Sequence, residues 1–336
     1  MEENIILNVS ALMKVFELAF ITFILAIALT PILSHFLYRF KIGKKIKKIN
    51  SPIFSKLHEM KENTPTMGGL LIWISVLIIT LIFNLSRSQT YLPLFALACF
   101  GVLGAFDDYL NVRGVGPWKG MRGRHKILWQ LAIALIGAWW FYYKLGWNYL
   151  HIPGIGDFVI GWWYIPLFVF VILASTNAVN ITDGLDGLAG GLASIVFLIF
   201  GGIAFVRGDF GLAAFCGTLF GATLAFLWFN IYPARFFMGD TGSMALGGVM
   251  GVIAMLTDTA LVLPIIAFVF AMETMSVILQ VSYKKVTGGK KIFLSAPLHH
   301  HFEAKGWPEP KVVMRFWFLG AVMAIIGFVI ALIGRG

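Results

Sequence analysis

The feature that most constrains this chain is a succession of about ten long apolar stretches, each close to the roughly 20 residues that a helix needs to cross a bilayer. Only 12% of the residues are charged and 59% are apolar, whereas soluble globular chains carry about 25% charged residues. The stretches are continuously apolar and do not alternate with polar residues, so they indicate helices and not barrel strands. The sequence therefore predicts an all-α integral membrane protein.

The predicted spans run along the whole chain, which we interpret as a single polytopic membrane domain over residues 1–336. The first stretch follows Glu2 and Glu3 and is too long for a signal peptide, so we expect it to remain as a spanning helix. The spans are predicted, to within a few residues, at Val15–Tyr38, Gly68–Leu85, Tyr91–Phe106, Ile127–Leu145, Trp162–Ala178, Leu188–Val206, Phe210–Phe229, Gly242–Thr257, Ala260–Val281 and Val312–Ile333.

The distribution of lysine and arginine predicts the orientation. With about ten spans, the connecting loops alternate between two sides, and 21 of the 26 basic residues fall in one set of loops. Cytoplasmic loops are enriched in lysine and arginine, so this set is expected in the cytoplasm and both termini in the periplasm. The net charge of +10 thus reports membrane topology and not nucleic-acid binding. The basic set of loops is Arg39–Met67, Asp107–Lys126, Ile181–Gly187, Asn230–Ser243 and Ser282–Arg315.

Aspartates gather in the same set of loops, at the predicted helix ends. Asp107 and Asp108 directly follow an apolar stretch, where two adjacent carboxylates require water or a cation nearby. A solvated helix end is the alternative interpretation of this pair. Asp240 precedes GlyThrGlySer and a predicted helix start, where it could act as an N-cap. The free N–H groups of such a helix start also form an anion site, which an aspartate, a phosphate and a magnesium ion would fill together.

A second polar segment repeats every three residues. Asn177, Asn180, Asp183 and Asp186 have the spacing that places side chains on one face of a helix, and the neighbouring Gly184 and Gly187 leave room for a ligand. A polar cap on the following helix is the alternative. The AspXXAspGly pattern lacks the further oxygen ligands of a calcium loop.

Three consecutive histidines and one intramembrane acid complete the candidate chemistry. His299, His300 and His301 lie in a basic loop; in an extended segment they would point to opposite faces, which disfavours a shared zinc ion. Phosphate contacts and proton handling are the preferred interpretation. Glu273 lies within a predicted span, where a functional role and a hydrogen-bonded structural role are equally plausible.

Taken together, these groups predict a cavity at the cytoplasmic face that binds magnesium and phosphate. Carboxylates, basic groups and helix N-termini at one place suit metal-assisted phosphoryl transfer, with one substrate in the membrane and the other in the cytoplasm. The chain contains no Walker A motif, which disfavours simple ATP hydrolysis.

Five segments resemble, in the same order, the phospho-N-acetylmuramoyl-pentapeptide transferase (MraY) family within the polyprenyl-phosphate N-acetylhexosamine-1-phosphate transferase superfamily. They are ThrProThrMetGlyGly (64–69), AspAspTyr (107–109), AsnAlaValAsnIleThrAspGlyLeuAspGlyLeuAla (177–189), PheMetGlyAspThrGlySer (237–243) and AlaProLeuHisHisHisPheGlu (296–303). The resemblance implies transfer of phospho-N-acetylmuramoyl-pentapeptide from its UDP-linked form to undecaprenyl phosphate. Lipid I and UMP are the products, Mg²⁺ is required, and the enzyme is a homodimer of the bacterial inner membrane.

The resemblance also implies residue roles. Asp240 would hold magnesium, Asp107 and Asp108 would act on the lipid phosphate or serve the metal indirectly, and His299 would assist catalysis. The uridine pocket would be formed by Lys61, Asn180, Asp183, Asp186 and Phe237. The phosphate and sugar path would be lined by Lys126, Asn230, His300 and His301.

Two details refine this expectation. A phosphate monoester has a second pKa near 6, so the lipid phosphate is mostly a dianion at neutral pH and Asp107 and Asp108 are expected to organise charge, not to remove a proton. The family often has a lysine where this chain has Asn111. The basic residues that could replace that lysine are Arg113, Lys119, Arg122 and Arg124.

Two other functions remain as alternatives. A transporter of an anionic lipid or sugar nucleotide would place functional polar groups near the middle of the membrane and would use paired broken helices. Here nearly all polar groups lie at one face. A sibling transferase would use a different UDP-N-acetylhexosamine with the same type of lipid acceptor.

Overall fold

The computed structural model describes residues 2–40, 42–43, 64–114 and 120–333, which form helices and one small hairpin. Helices occur within each predicted apolar stretch. The helices are α1 (Glu2–Arg39), α2 (Leu70–Phe83), α3 (Tyr91–Arg113), α4 (Gly123–Trp139), α5 (Tyr164–Thr182), α6 (Leu188–Val206), α7 (Phe210–Asn230), α8 (Gly239–Leu256), α9 (Leu263–Ile266), α10 (Phe268–Val286), α11 (Leu298–Ala304) and α12 (Glu309–Leu332). A π-helical turn, Trp140–Lys144, continues α4, and a 3₁₀ turn, Gly161–Trp163, precedes α5.

Among the described residues, seven helical segments are long and apolar enough to cross a membrane, and α2 is a shorter apolar helix. The prediction of a mostly helical, multi-pass membrane protein is therefore confirmed. The count of ten spans and the periplasmic position of both termini stay predictions. The stretch expected to form one span at Ala260–Val281 is divided into α9 and α10, with Ala267 between them.

Helix α8 is the centre of the bundle. Every residue from Thr241 to Leu256 is buried, and α8 packs against α3 and α5. Its sequence is rich in glycine and alanine, whose small side chains allow membrane helices to approach closely. The buried share of the most apolar window is 89% in α8 but 22% in α1 and 28% in α12. The outer helices therefore present their large apolar side chains to lipid.

The two ends of the bundle differ in structure. The strands Tyr149–Ile152 and Gly156–Val159 pair as an antiparallel hairpin in the connection between α4 and α5. The first turn of α4 contains Lys126, so the hairpin lies beyond the opposite end of that helix. The motif-bearing segments meet at the Lys126 end.

Candidate active site

One lysine joins two aspartates from different helices. Lys126 Nζ, at the start of α4, lies 2.8 Å from Asp107 Oδ2 and 2.5 Å from Asp240 Oδ2. Asp107 also accepts a 2.8 Å hydrogen bond from the Met121 N–H, and its side chain is only 3% exposed. Burying charges is costly unless they are paired, and here the ammonium neutralises part of the two negative charges. The predicted convergence of separate segments on one charged cluster therefore exists.

Asn180 connects α5 to this cluster. Its side-chain amide donates a 2.6 Å hydrogen bond to Asp240 Oδ1 and a 2.9 Å hydrogen bond to Ser243 Oγ. Ser243 was not among the predicted site residues, because a serine in a glycine-rich helix start carries no distinctive sequence signal. We call Asp107, Lys126, Asn180 and Asp240 the carboxylate cluster.

Asp108 performs the capping that the sequence suggested for Asp240. Its carboxylate accepts the backbone N–H groups of Asp240 at 3.2 Å and Thr241 at 2.9 Å, and the Thr241 hydroxyl at 2.6 Å. These N–H groups start α8 and have no partner within that helix, so a carboxylate there also favours the helix dipole. Gly239, with φ +72°, leaves the space: a Cβ would lie 2.4 Å from Asp108 Oδ2 and 2.6 Å from Thr66 Oγ1.

The position of Asp107 and Asp108 also corrects a predicted boundary. Helix α3 continues to Arg113, so both aspartates lie inside its last turns and not beyond its end at Phe106. The helix continues because both carboxylates have partners inside the protein and do not need water. Asp108 accepts hydrogen bonds from the first turn of α8, and Asp107 forms an ion pair with Lys126.

The backbone of the ThrProThrMetGlyGly segment (64–69) forms hydrogen bonds with the loop before α8. The Gly68 N–H donates to the Phe237 carbonyl at 2.8 Å, the Gly69 N–H to the Met238 carbonyl at 2.9 Å, and the Phe237 N–H to the Pro65 carbonyl at 2.7 Å. The segment thus holds the loop before α8. Phe237 remains partly exposed at this junction, as a stacking residue requires.

The predicted common face of Asp183 and Asp186 is wrong, because α5 ends at Thr182 and both aspartates lie in the turn that follows. Asp186 is buried and braces this turn. Its backbone N–H donates to Glu309 Oε1 at 2.6 Å, and its Oδ2 accepts the Ala234 N–H at 3.0 Å.

Asn230 braces the same region from α7. Its Oδ1 accepts the Gly187 N–H at 3.0 Å, its Nδ2 donates to the Phe236 carbonyl at 2.9 Å, and the residue is 4% exposed. Asp186 and Asn230 therefore connect the turn after α5 to the loop before α8. Their predicted contacts with substrate stay predictions.

The histidines lie on the short helix α11, so the expectation of an extended segment is wrong. His299 is fully buried, and its backbone N–H donates to Glu273 Oε1 at 3.1 Å. Its Nδ1 lies 3.2 Å from Glu273 Oε2 without hydrogen-bond alignment, and in the described part of the chain neither ring nitrogen has a hydrogen-bond partner. A buried imidazole without partners is unusual unless a ligand supplies them. Glu273 therefore contacts His299 directly, and whether its role is functional or structural stays a prediction.

His300 and His301 are held by local contacts. His300 Nδ1 lies 2.7 Å from Glu303 Oε2, and His301 Nδ1 accepts the Leu294 N–H at 3.1 Å. Burial lowers the pKa of His300, and Glu303 opposes part of that effect. Burial and nearby Lys305 lower the pKa of His301. Both rings are therefore neutral at pH 7, so they would meet a phosphate as hydrogen-bonding groups and not as cations.

Some predicted residues are not placed in the site. Lys61 and Lys119 lie outside the described residues. Arg113 Cζ lies 5.6 Å from the centre of the Tyr109 ring, a cation–π contact on α3. No contact in the described residues identifies the cation that replaces the usual lysine at Asn111.

The carboxylate cluster is suited to magnesium as part of a phosphate complex. Among the described residues, no group of three or more histidine, cysteine, aspartate or glutamate side chains has the arrangement of a metal site. Magnesium, however, usually takes one or two protein carboxylates and completes its octahedron with water and phosphate oxygens. Asp107 and Asp240 already contact one shared cation, Lys126, so these are the two carboxylates that would hold such an ion.

The contact between His299 and the turn after α5 leads to a prediction. A Cβ at Gly184 would lie 2.3 Å from His299 Nε2, so Gly184→Ala is expected to displace the imidazole and lower kcat about tenfold. Gly190→Ala is the matched control, because its Cβ would meet Phe226 at an ordinary 3.5 Å. Steady-state kinetics of both purified variants measure the difference. Equal kcat values would show that this contact does not position His299.

Comparisons with known proteins agree with this arrangement. A family model described as glycosyl transferase family 4 matches residues 90–258, and the phospho-N-acetylmuramoyl-pentapeptide-transferase signature 1 matches residues 61–72. The phospho-N-acetylmuramoyl-pentapeptide-transferase of Desulfotalea psychrophila is 43% identical over 322 residues, which cover 90% of this chain and 88% of that protein. The protein of the same name from Geobacillus thermodenitrificans is 42% identical over 316 residues, covering 92% of this chain and 95% of that protein.

Proposed function

This chain belongs to the phospho-N-acetylmuramoyl-pentapeptide-transferase family, and we propose that it transfers phospho-N-acetylmuramoyl-pentapeptide from its UDP-linked form to undecaprenyl phosphate. The products are lipid I, a precursor of peptidoglycan, and UMP. An oxygen of the acceptor phosphate forms a bond to the sugar-linked phosphorus, and the bond from that phosphorus to the oxygen shared with UMP breaks. The observation that carries the proposal is the carboxylate cluster, in which residues of four helices bring two carboxylates and one cation together at one end of the bundle.

In this proposal, Asp240 and Asp107 hold magnesium together with the diphosphate of the donor. The ion, when bound, neutralises charge that builds up on the phosphate oxygens. Lys126 lies between the same two carboxylates, 2.5 Å from Asp240, so its ammonium would lie beside a donor phosphate bound at this cluster. Arginine, lysine and metal cations arranged in advance are the main source of rate enhancement in phosphoryl transfer.

Asp108 acts as a positioning residue in this proposal. Both of its oxygens accept hydrogen bonds from the first turn of α8, the helix that carries Asp240. A carboxylate used in this way maintains the orientation of Asp240, and the acceptor phosphate, already a dianion, needs no base to remove a proton. Charge organisation therefore explains the AspAsp pair better than general base catalysis does.

The remaining site residues are proposed to form the pocket that binds the UDP-linked donor. Phe237 is proposed to stack on the uracil ring, next to Asn180, Asp183 and Asp186, and Lys61 is proposed to complete this pocket. His299 faces the turn after α5 from α11 and is proposed to assist at the reacting phosphates, with His300, His301 and Asn230 along the sugar path. The buried His299 ring, which has no hydrogen-bond partner among the described residues, supports this placement.

Orientation and assembly follow from the same reasoning. The loops at the active-site end of the bundle carry an excess of basic residues. This excess supports a cytoplasmic position for the active-site end and a periplasmic position for both termini. Soluble UDP-linked donor is available only on that side. We further propose that the protein resides in the bacterial inner membrane as a homodimer.

A direct assay tests the proposed function. Purified protein is incubated with Mg²⁺, undecaprenyl phosphate and either UDP-N-acetylmuramoyl-pentapeptide or UDP-N-acetylglucosamine, and UMP release is measured. UMP is expected only with the pentapeptide donor and only when Mg²⁺ is present. Release of UMP with UDP-N-acetylglucosamine alone would indicate the sibling transferase. No release of UMP with either donor would contradict both the proposed transferase activity and the sibling transferase activity.

A further inference from the structure

A groove on the surface of α12 lies outside the proposed active site. It has a volume of about 700 Å³ and lies beside the first turns of the helix. The Glu309 carboxylate in the same turn accepts the Asp186 N–H at 2.6 Å, so the groove lies at the active-site end of the bundle. Its lining residues are Pro308, Pro310, Lys311, Met314, Arg315 and Phe318.

The groove carries two cations for which the described residues supply no acidic partner. Lys311 Nζ lies 4.7 Å and Arg315 Cζ 5.9 Å from the ring centre of Trp307, so both cations gather over one indole. Within the described ranges, no carboxylate oxygen lies within 4 Å of either cationic group. Two like charges beside one ring repel each other, and an anion bound by both would relieve the repulsion.

The rest of the groove is apolar and enters the membrane-spanning part of α12. Met314 is 68% exposed and lies about one turn after Lys311, toward the middle of the span. Phe318 is 73% exposed and lies about one turn after Arg315 in the same direction. The groove therefore combines a cationic rim with an apolar floor. Tryptophan at the base of the rim is typical of the boundary between headgroups and hydrocarbon.

The groove faces away from the proposed reaction. The buried side of α12 is formed by Val312, Val313, Phe316 and Gly320, whereas Lys311, Met314, Arg315 and Phe318 occupy the opposite side of the helix. A phosphate bound in the groove is thus separated from the carboxylate cluster by α12 itself. The acceptor phosphate that reacts would have to approach from elsewhere.

We propose that this groove binds an anionic glycerophospholipid of the membrane leaflet at the active-site end, with its phosphate between Lys311 and Arg315 and an acyl chain along Met314 and Phe318. Basic pockets beside transmembrane helices recognise anionic headgroups in this way. The cytoplasmic identity of that leaflet rests on the proposed function. The binding itself depends only on the groove.

The test measures lipid retention and enzyme activity separately. Wild-type protein and a Lys311→Gln/Arg315→Gln variant are placed in nanodiscs of phosphatidylcholine with a small fraction of phosphatidylglycerol, and bound lipid is counted by native mass spectrometry after release. Lys284→Gln/Lys285→Gln is the matched control, because it removes two exposed lysines at the end of α10. Two phosphate contacts of about 1 kcal/mol each correspond to a loss of at least tenfold in phosphatidylglycerol retention. This loss is expected in the groove variant alone, because the control lysines do not line the groove.

Each outcome has a defined meaning. Equal phosphatidylglycerol retention by wild type and the groove variant, or an equal loss in the control, would overturn the proposal. Inorganic phosphate is added as a competitor, and displacement of the lipid at millimolar phosphate would identify a free-anion site instead. UMP release in the same nanodiscs reports on the proposed enzyme, so its failure is distinguishable from failure of lipid binding. The single variants Lys311→Gln and Arg315→Gln replace the double variant if that protein does not fold, and each is expected to lose part of the retention.

Discussion

Replacement of Asp240 with asparagine is expected to lower kcat/KM by about 1000-fold or more while leaving the fold intact. The asparagine side chain keeps the size of Asp240 and one oxygen that can accept the Asn180 hydrogen bond. It removes the negative charge that Lys126 contacts at 2.5 Å and that magnesium would require. A loss of about 4 kcal/mol in transition-state stabilisation corresponds to this factor, which is within the range for a central electrostatic group.

UMP release measured across a range of Mg²⁺ concentrations checks this expectation. The matched control is Asp157→Asn, because the Asp157 side chain is 54% exposed on the hairpin at the opposite end of the bundle. The control should remain within about twofold of wild type, and thermal unfolding should be similar for all three proteins. If Asp240→Asn kept a tenth of wild-type activity at ordinary Mg²⁺ concentrations, Asp240 would not be the main protein ligand of the ion.

The sequence predicted the membrane architecture because burial in lipid depends on local composition. A stretch such as Leu188–Val206 has to form its hydrogen bonds internally, which makes it a helix regardless of its neighbours. The meeting of the aspartate-bearing segments was also predictable. Each motif lies at the same end of a span, so a bundle of short-looped helices brings them together.

Contacts between distant segments were not predictable from local pattern. Asp108 caps α8 from α3, across 132 residues of sequence, and the pattern near Asp240 looked like a complete cap by itself. The helical turn at His299 was missed for a similar reason. Glu273, on α10, accepts the hydrogen bond of the His299 backbone N–H, and that contact fixes the start of a helix with only seven residues.

The turn after α5 shows a limit of helical periodicity. A spacing of three suggested that Asp183 and Asp186 share a face, but the helix ends at Thr182 and the glycine-containing turn takes over. The turn is stabilised by Asn230 and Glu309, which come from other helices. Spacing alone cannot distinguish a helix from a turn that tertiary contacts hold in place.

The second large effect is expected at Glu273, which contacts His299. Glu273→Gln is expected to lower kcat about 100-fold and to change KM less than about threefold. The carboxylate beside Nδ1 favours a proton on that nitrogen and leaves Nε2, which faces Gly184, as the acceptor. Glutamine keeps an oxygen for the His299 N–H but can place its NH₂ beside Nδ1, which favours the other tautomer.

A comparison of variants separates this positioning role from a general loss of structure. Glu273→Leu leaves the buried His299 N–H without an acceptor, so it should lower stability by about 1–3 kcal/mol, whereas Glu273→Gln should not. Glu17→Gln repeats the substitution on lipid-exposed α1 and is expected to leave kcat unchanged. The ¹⁵N signals of the histidine rings, with His299 assigned through His299→Gln, should report a changed tautomer only in Glu273→Gln. A wild-type kcat, or an unchanged tautomer together with a lowered kcat, would show that Glu273 does not act through the proton on His299.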